Sequence, residues 1–391
     1  MPDAGEVREP VRIAFSLIGG AHQFWHAVPV AAALSRLTGL SVVCYVISAD
    51  EAAAVANMLR TLGAGEVDVV TMVLPAFVVW LLTFWRGKKD APLKVLRLFR
   101  WARILRKADV VVTVERTSTL LKLIPGRCPP LAHIPHGVGG ARRAGGGGMD
   151  KRFALFDRVL LAGESDRRST LDHNLLPPER IAVVGQVKLD GLRRAGRLKR
   201  CHLFANARPT VLYNPHFDAR RGSWQRWGPD IVERIRDSGR FNLIVAPHVR
   251  LFAGTSTEKL AQLRALSNAT DFIFDPGSER SIDMTYTLAA DIYLGEFSSQ
   301  LYEFLAIPRA TVFFDIRGDG GAEDSKLPEM WLTGETVTGV EAIVPALDRA
   351  MEQHADFRSR QLALVAEACG DPNFSAAERA ATELLSMVGR D

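Results

Sequence analysis

Apolar residues occur in short unbroken runs along this chain, separated by stretches in which they recur every three or four positions. Residues 11–18 form the first run, closed by Gly19-Gly20. Helical spacing then extends over 22–37, and 40–47 is again continuous and apolar. Unbroken runs of this length predict strands covered on both faces, and the periodic stretches predict the crossover helices that parallel strands need. The alternation continues with a helix over 52–62 and strands at 67–73, 109–114, 131–135, 159–162 and 181–184. A polar stretch, 188–209, carries seven basic residues and reads as a linker. Beyond it the alternation restarts, with strands expected at 210–213, 242–246, 272–274, 292–294 and 311–314. Helices are expected at 229–238, 257–265, 284–289 and 299–305. Two successive series of this kind predict an α/β chain of two Rossmann-like domains, 1–190 and 205–368, which suits a length of 391 residues.

Composition narrows the class. Hydrophobic residues make up 47% and charged residues 24%, as in a globular chain and unlike a disordered one. The four cysteines lack CxxC or CxH spacing, so neither a disulfide framework nor a zinc site is expected. The polar start lacks the order of a signal peptide, and a cytoplasmic location is expected. The net charge of +5 is unevenly spread: 86–107 holds nine basic residues against one acid, Asp90. Leu93, Val95, Leu96, Leu98, Phe99, Trp101, Ile104 and Leu105 lie within it near helical spacing. An aromatic-rich apolar stretch, 71–85, precedes it, too short to span a bilayer and broken by Pro75. Two readings stand for 77–107: a surface helix that docks on anionic membrane, or a core helix with a solvated basic face. Nucleic acid is not an expected partner, because no binding motif accompanies the charge.

Ligands of such sheets bind beyond the C-terminal ends of the strands, and several polar turns fall there. Gly295-Glu296-Phe297-Ser298-Ser299 opens a helix that continues to Glu303. It offers free N–H groups and a helix dipole to a diphosphate, or simply a serine N-cap. Pro247-His248 with Arg250, and Tyr213-Asn214-Pro215-His216 with Asp218, follow two other strands, and their His and Arg side chains suit phosphate. In Ile134-Pro135-His136-Gly137 the glycine permits close approach. His136 there is a candidate base for an acceptor hydroxyl, or an incidental turn residue. The turn from Ile18 through Gly19, Gly20 and His22 to His26 lacks a complete GxGxxG and is a weaker candidate for an acceptor floor. Walker A, HExxH, GxSxG and DxD patterns are absent. No metal site is expected, and leaving-group charge falls to helix dipoles, His and Arg.

Taken in order, Pro135-His136-Gly137, Tyr213-Asn214-Pro215-His216, Pro247-His248-x-Arg250 and Phe297-Ser298-Ser299 resemble the CDP-glycerol glycerophosphotransferase family of teichoic-acid polymerases and primases. The resemblance covers most of the chain in short motifs. It implies a GT-B fold, two Rossmann-like domains facing a central cleft, with 369–391 as a closing helix packed back toward the first domain. Two departures stand out. Glu296-Phe297 replaces the family's Asp-Tyr before Ser-Ser, and Pro215-His216-Phe217-Asp218 replaces a Pro-Thr-Trp-Arg-like turn. The skeleton is also similar to UDP-N-acetylglucosamine 2-epimerases, with Glu303 and 318–323 loosely in the place of their glutamates.

The resemblance implies a metal-independent transferase without a cofactor beyond its activated donor. It would move a glycerol-phosphate-like or glycosyl group from CDP or UDP to a membrane-linked acceptor in cell-envelope synthesis, at the inner face of the cytoplasmic membrane. His136, His216 and His248 would be catalytic, and Arg250, Ser298, Ser299, Glu296, Glu303 and Gly137 would bind the donor. A soluble epimerase and a non-catalytic nucleotide-binding protein are the alternatives.

Overall fold

The computed structural model describes residues 9–86, 90–138, 150–218, 222–248, 250–252, 254–268, 270–296, 298–316 and 328–389. Phe297, Val249 and residues 139–148, 219–221 and 318–323 of the motifs above lie outside the described residues. The chain divides into two compact units, one running to Arg197 and resuming at Ala368, the other Leu198–Glu367.

The first unit contains strands β1 (Val11–Ser16), β2 (Leu40–Val46), β3 (Asp68–Thr71), β4 (Val110–Thr113), β5 (Leu131–His133), β6 (Arg158–Leu161) and β7 (Ile181–Val183). Its helices are α1 (Phe24–Leu34), α2 (Ala49–Thr61), α3 (Ala76–Arg86), α4 (Asp90–Leu105), α5 (Glu164–Asp172) and α6 (Val187–Arg194). The second unit contains β8 (Thr210–Asn214), β9 (Asn242–Val245), β10 (Phe272–Phe274), β11 (Ile292–Gly295), β12 (Ala310–Phe314) and β13 (Glu335–Val337). Its helices are α7 (Trp224–Asp237), α8 (Thr257–Ala265), α9 (Glu279–Ile282), α10 (Thr285–Ala289), α11 (Ser299–Leu305), α12 (Pro328–Trp331) and α13 (Ile343–Glu352). Two helices close the chain, α14 (His354–Cys369) and α15 (Ala376–Ser386).

Both sheets are parallel and share one topology. The first runs β3-β2-β1-β4-β5-β6-β7 and the second β10-β9-β8-β11-β12-β13, so strand order reverses between β1 and β4 and again between β8 and β11. Each is a Rossmann-like, doubly wound sheet. Period-2 geometry sorts each strand between two cores. Ile13 and Phe15 of β1 and Val42 and Cys44 of β2 join α1, α2 and α15 on one face. Ala14, Val43 and Tyr45 meet Leu98, Ala102 and Leu105 of α4 on the other.

The stretch expected to be a linker begins as a helix. In α6, Val187, Leu189 and Leu192 are buried, and so are Lys188 and Asp190. A Cβ on Gly191 would lie 2.4 Å from the Pro29 ring, so this glycine lets α6 press against α1. Asp190 accepts from Ser375 Oγ at 2.9 Å and Ala377 N at 3.0 Å, which fixes the start of α15. The buried polar residues hid the helix from a hydrophobicity reading. Likewise α7 begins at Trp224, and Pro229, taken as its start, lies inside it.

Part of 77–107 packs in the core and part is exposed. Leu98, Ala102 and Leu105 bury one face of α4 in the core, whereas Leu96 and Phe99 are exposed. On α3, Phe77, Trp80 and Phe84 are 70%, 64% and 72% exposed at i, i+3, i+7 spacing, with Trp80 and Phe84 stacked at 5.6 Å. Among the described residues no helix is long and apolar enough to cross a membrane.

Leu384 of α15 is fully buried in the first core. Leu384→Ala should lower the unfolding free energy by about 2–5 kcal/mol, read as a lower midpoint in urea denaturation.

Candidate functional site

In the second unit, polar side chains gather where strand order reverses. Gly295 pairs with Asn214 across β11 and β8, and a Cβ there would lie 2.7 Å from the Asn214 carbonyl oxygen. Glycine is therefore required for this approach. The next residue, Glu296, is buried, and its carboxylate accepts from His216 N and from Ser223 N, both at 2.7 Å. One carboxylate so pins both ends of the loop that carries His216. Burial pushes its carboxyl up to about 7, against the opposite pull of the N–H groups it binds.

The loop sets the chemistry of its histidine. His216 Nδ1 accepts from Asp218 N at 3.1 Å, and His248 Nδ1, at the end of β9, accepts from Arg250 N at 3.1 Å. An accepting Nδ1 carries no proton, so both neutral rings hold theirs on Nε2 and act there as donors. Phe217 packs against both, at 4.4 Å from the His216 ring and 4.7 Å from the His248 ring. The Arg250 guanidinium lies 4.0 Å over the Phe217 face. Two N–H donors and a permanent cation thus cluster on one aromatic platform beyond β8 and β9, a donor set suited to phosphate oxygens.

Other expected contacts have local tasks. Ser298 Oγ accepts from Gln300 N at 3.3 Å as the N-cap of α11, and Ser299 opens that helix half-buried. Glu303 is buried in α11. Glu296, expected to touch the donor, holds the two backbone N–H groups of the His216 loop.

The first unit has its own cluster. His136 is exposed just beyond β5, with Gly137 buried next to it, and its Nδ1 lies 3.3 Å from the Val114 carbonyl oxygen. A carbonyl only accepts, so Nδ1 holds the proton and Nε2 is the basic nitrogen, the opposite arrangement to His216 and His248. The rings of His22 and His26 meet it edge-on, with centroids 5.7 Å and 6.3 Å away. Glu115, next in sequence to Val114, is buried and accepts from the backbone of Thr117 and Ser118 and from Ser118 Oγ. Among the described residues, no group of three or more His, Cys, Asp or Glu is placed to hold a metal ion.

The three histidines follow β5, β8 and β9, the strand-end positions that the sequence reading assigned them. It missed the tasks of Glu296, Asn214 and Ser223. The one available signal is a non-proline residue two positions after each of His216 and His248, which leaves an N–H to donate.

No protein-family model matches the chain, and no curated protein matches it in sequence. Solved structures do match in fold. The chain is similar to MnaA of S. aureus in complex with UDP, at 11% identity and TM-score 0.62, over 97% of each chain. It is similar to the wall teichoic acid polymerase TagF soaked with CDPG, at 14% identity and TM-score 0.62, over 97% of this chain and 88% of that one. It is similar to the UDP-GlcNAc 2-epimerase of Neisseria meningitidis bound to UDP-GlcNAc, at 10% identity and TM-score 0.58, over 97% of this chain and all of that one. The chain therefore has a two-domain, GT-B-like α/β fold.

The raised Glu296 carboxyl makes stability depend on pH. The folded state keeps this proton above the ordinary value of 4.5, so the contribution is complete below about pH 4.5 and is lost as pH rises through about 7. The full span is on the order of 3 kcal/mol. Glu296→Gln should flatten that slope between pH 5 and 8 in chemical denaturation, while lowering stability at pH 5 because one N–H loses its acceptor.

Proposed function

We propose that the chain is a transferase that binds a CDP- or UDP-activated donor on its second unit and an acceptor hydroxyl on its first. The observation that carries this is the paired Nε2–H donors of His216 and His248 with Arg250 beyond β8 and β9. They would meet the diphosphate and the charge that grows on the leaving group, without needing a metal ion. His136, with its basic Nε2, would take the acceptor proton. With a CDP-glycerol-like donor, the acceptor oxygen bonds to the distal phosphorus and the bridging P–O bond breaks. The hydroxyl proton passes to His136 Nε2, and CMP leaves. With a nucleotide sugar, attack falls on the anomeric carbon and the nucleoside diphosphate leaves. The fold shared with proteins solved with UDP, CDPG and UDP-GlcNAc supports a nucleotide-diphosphate ligand.

The lipid-linked nature of the acceptor rests on α3 and α4. Phe77, Trp80 and Phe84 stand in solvent beside a helix bearing Arg97, Arg100 and Arg103, the pairing of apolar wedge and positive charge that anionic bilayers bind. On this reading the protein docks on the inner face of the cytoplasmic membrane.

A thermal-shift panel of CDP, UDP, CMP and their glycerol and sugar conjugates tests the donor. Saturation at 100 times the dissociation constant adds about 2.7 kcal/mol of stability. His248→Ala should weaken the best ligand roughly tenfold or more, the value of one charge-assisted hydrogen bond. A flat panel for every nucleotide rejects the reading.

The membrane is tested by sedimentation with phosphatidylglycerol-containing vesicles. Trp80→Ser together with Phe84→Ser should abolish pelleting while leaving nucleotide shifts unchanged. Equal pelleting of the wild type with neutral and anionic vesicles would count against it.

A further inference from the structure

At the C-terminal end of the first sheet, where such sheets bind ligands, two arginines share one buried carboxylate. Arg116 stands in the turn after β4, and Asp150 opens a turn of 3-10 helix, Lys151–Leu155. Asp150 is buried and caps that turn by accepting from Arg152 N at 3.0 Å. The Arg152 guanidinium closes a fork on the same carboxylate, Nε to Oδ1 at 3.0 Å and Nη2 to Oδ2 at 2.7 Å. This fork, above all, holds the Asp150 carboxyl below the usual carboxylate range, so the group is charged. Arg116 Nη1 reaches the same Oδ2, at 2.8 Å. That nitrogen is buried, yet no acceptor lies in line for a hydrogen bond from it. Charge alone draws the second guanidinium to a carboxylate that the first has already neutralised. The neighbouring carboxylate is engaged elsewhere: Glu115 accepts from Thr113 Oγ1, from Thr117 N and from Ser118 N and Oγ. Lys151, exposed beside Asp150, adds a further positive charge.

Two guanidiniums on one carboxylate leave a positive charge uncompensated, and they repel one another unless a further anion joins them. Held side by side on a single oxygen, they present N–H donors in a fixed fork, the geometry that an oxyanion with several oxygens can bridge. Arg116 lies two residues beyond Val114, whose carbonyl meets His136 Nδ1, and β4 and β5 are neighbours in the sheet. The arginine pair and His136 therefore stand at the same edge of the first unit. We propose that Arg116 and Arg152, aligned by Asp150, bind a phosphate group at this edge. Its assignment to the acceptor, with the acceptor hydroxyl toward His136, rests on the reading given under Proposed function. The site itself does not depend on that reading.

Isothermal titration calorimetry of the full chain tests the site with sn-glycerol 3-phosphate and with dihexanoyl phosphatidic acid below its micellar concentration. Glycerol is the uncharged control and lactate the carboxylate control. A phosphate ligand should bind in preference to both controls, and less tightly as salt rises. Arg116→Gln should weaken that binding tenfold or more. Arg152→Gln, at an exposed position, should do the same, and it carries the test alone if Arg116→Gln does not fold. Arg180→Gln, just before β7 at the opposite end of the sheet, should change nothing. Each variant should keep the nucleotide-induced thermal shift of the wild type, so that failure of this site and failure of the donor reading are separate results. Binding of glycerol 3-phosphate identifies a free phosphate monoester as sufficient, and binding confined to phosphatidic acid identifies a lipid headgroup. No heat with either phosphate, lactate binding of equal strength and equal Arg116 dependence, or an equal loss in Arg180→Gln overturns the proposal.

Discussion

The second unit's site depends on the contact between β11 and β8 at Gly295. With no side chain in the way, the two backbones close to a spacing that a Cβ would violate by meeting the Asn214 carbonyl. That closeness brings Glu296 under the loop after β8, where its carboxylate meets two N–H groups 80 and 73 residues away in sequence. A bulkier residue at 295 would leave those buried N–H groups without their acceptor, at a cost of about 1–3 kcal/mol each. The loop's hold on His216 would go with them. One small residue therefore links sheet packing, loop shape and the protonation state of a ring.

The three histidines at strand ends show how the backbone assigns tasks to identical side chains. His216 and His248 each receive an N–H from two residues ahead, and their protons move to Nε2. His136 instead faces a carbonyl, and its proton moves to Nδ1. In the first case Nε2 can donate, and in the second it can accept. No property of the imidazole itself distinguishes them.

This explains what the chain's pattern could and could not reveal. Strands such as β1, β9 and β12 stood out because both their faces are covered, so nearly every residue is apolar. Helices were harder where buried positions are polar: α6 buries Lys188 and Asp190, the latter bound by Ser375 and Ala377, and its composition mimics a linker. The position of the histidines beyond strands was legible because the strands themselves were. The role of Glu296 was not, because it is defined by atoms distant in sequence. Lys94 was hidden in the same way. Within 86–107 it is one more basic residue, and only the fold carries its amine to Gly19, 75 residues away.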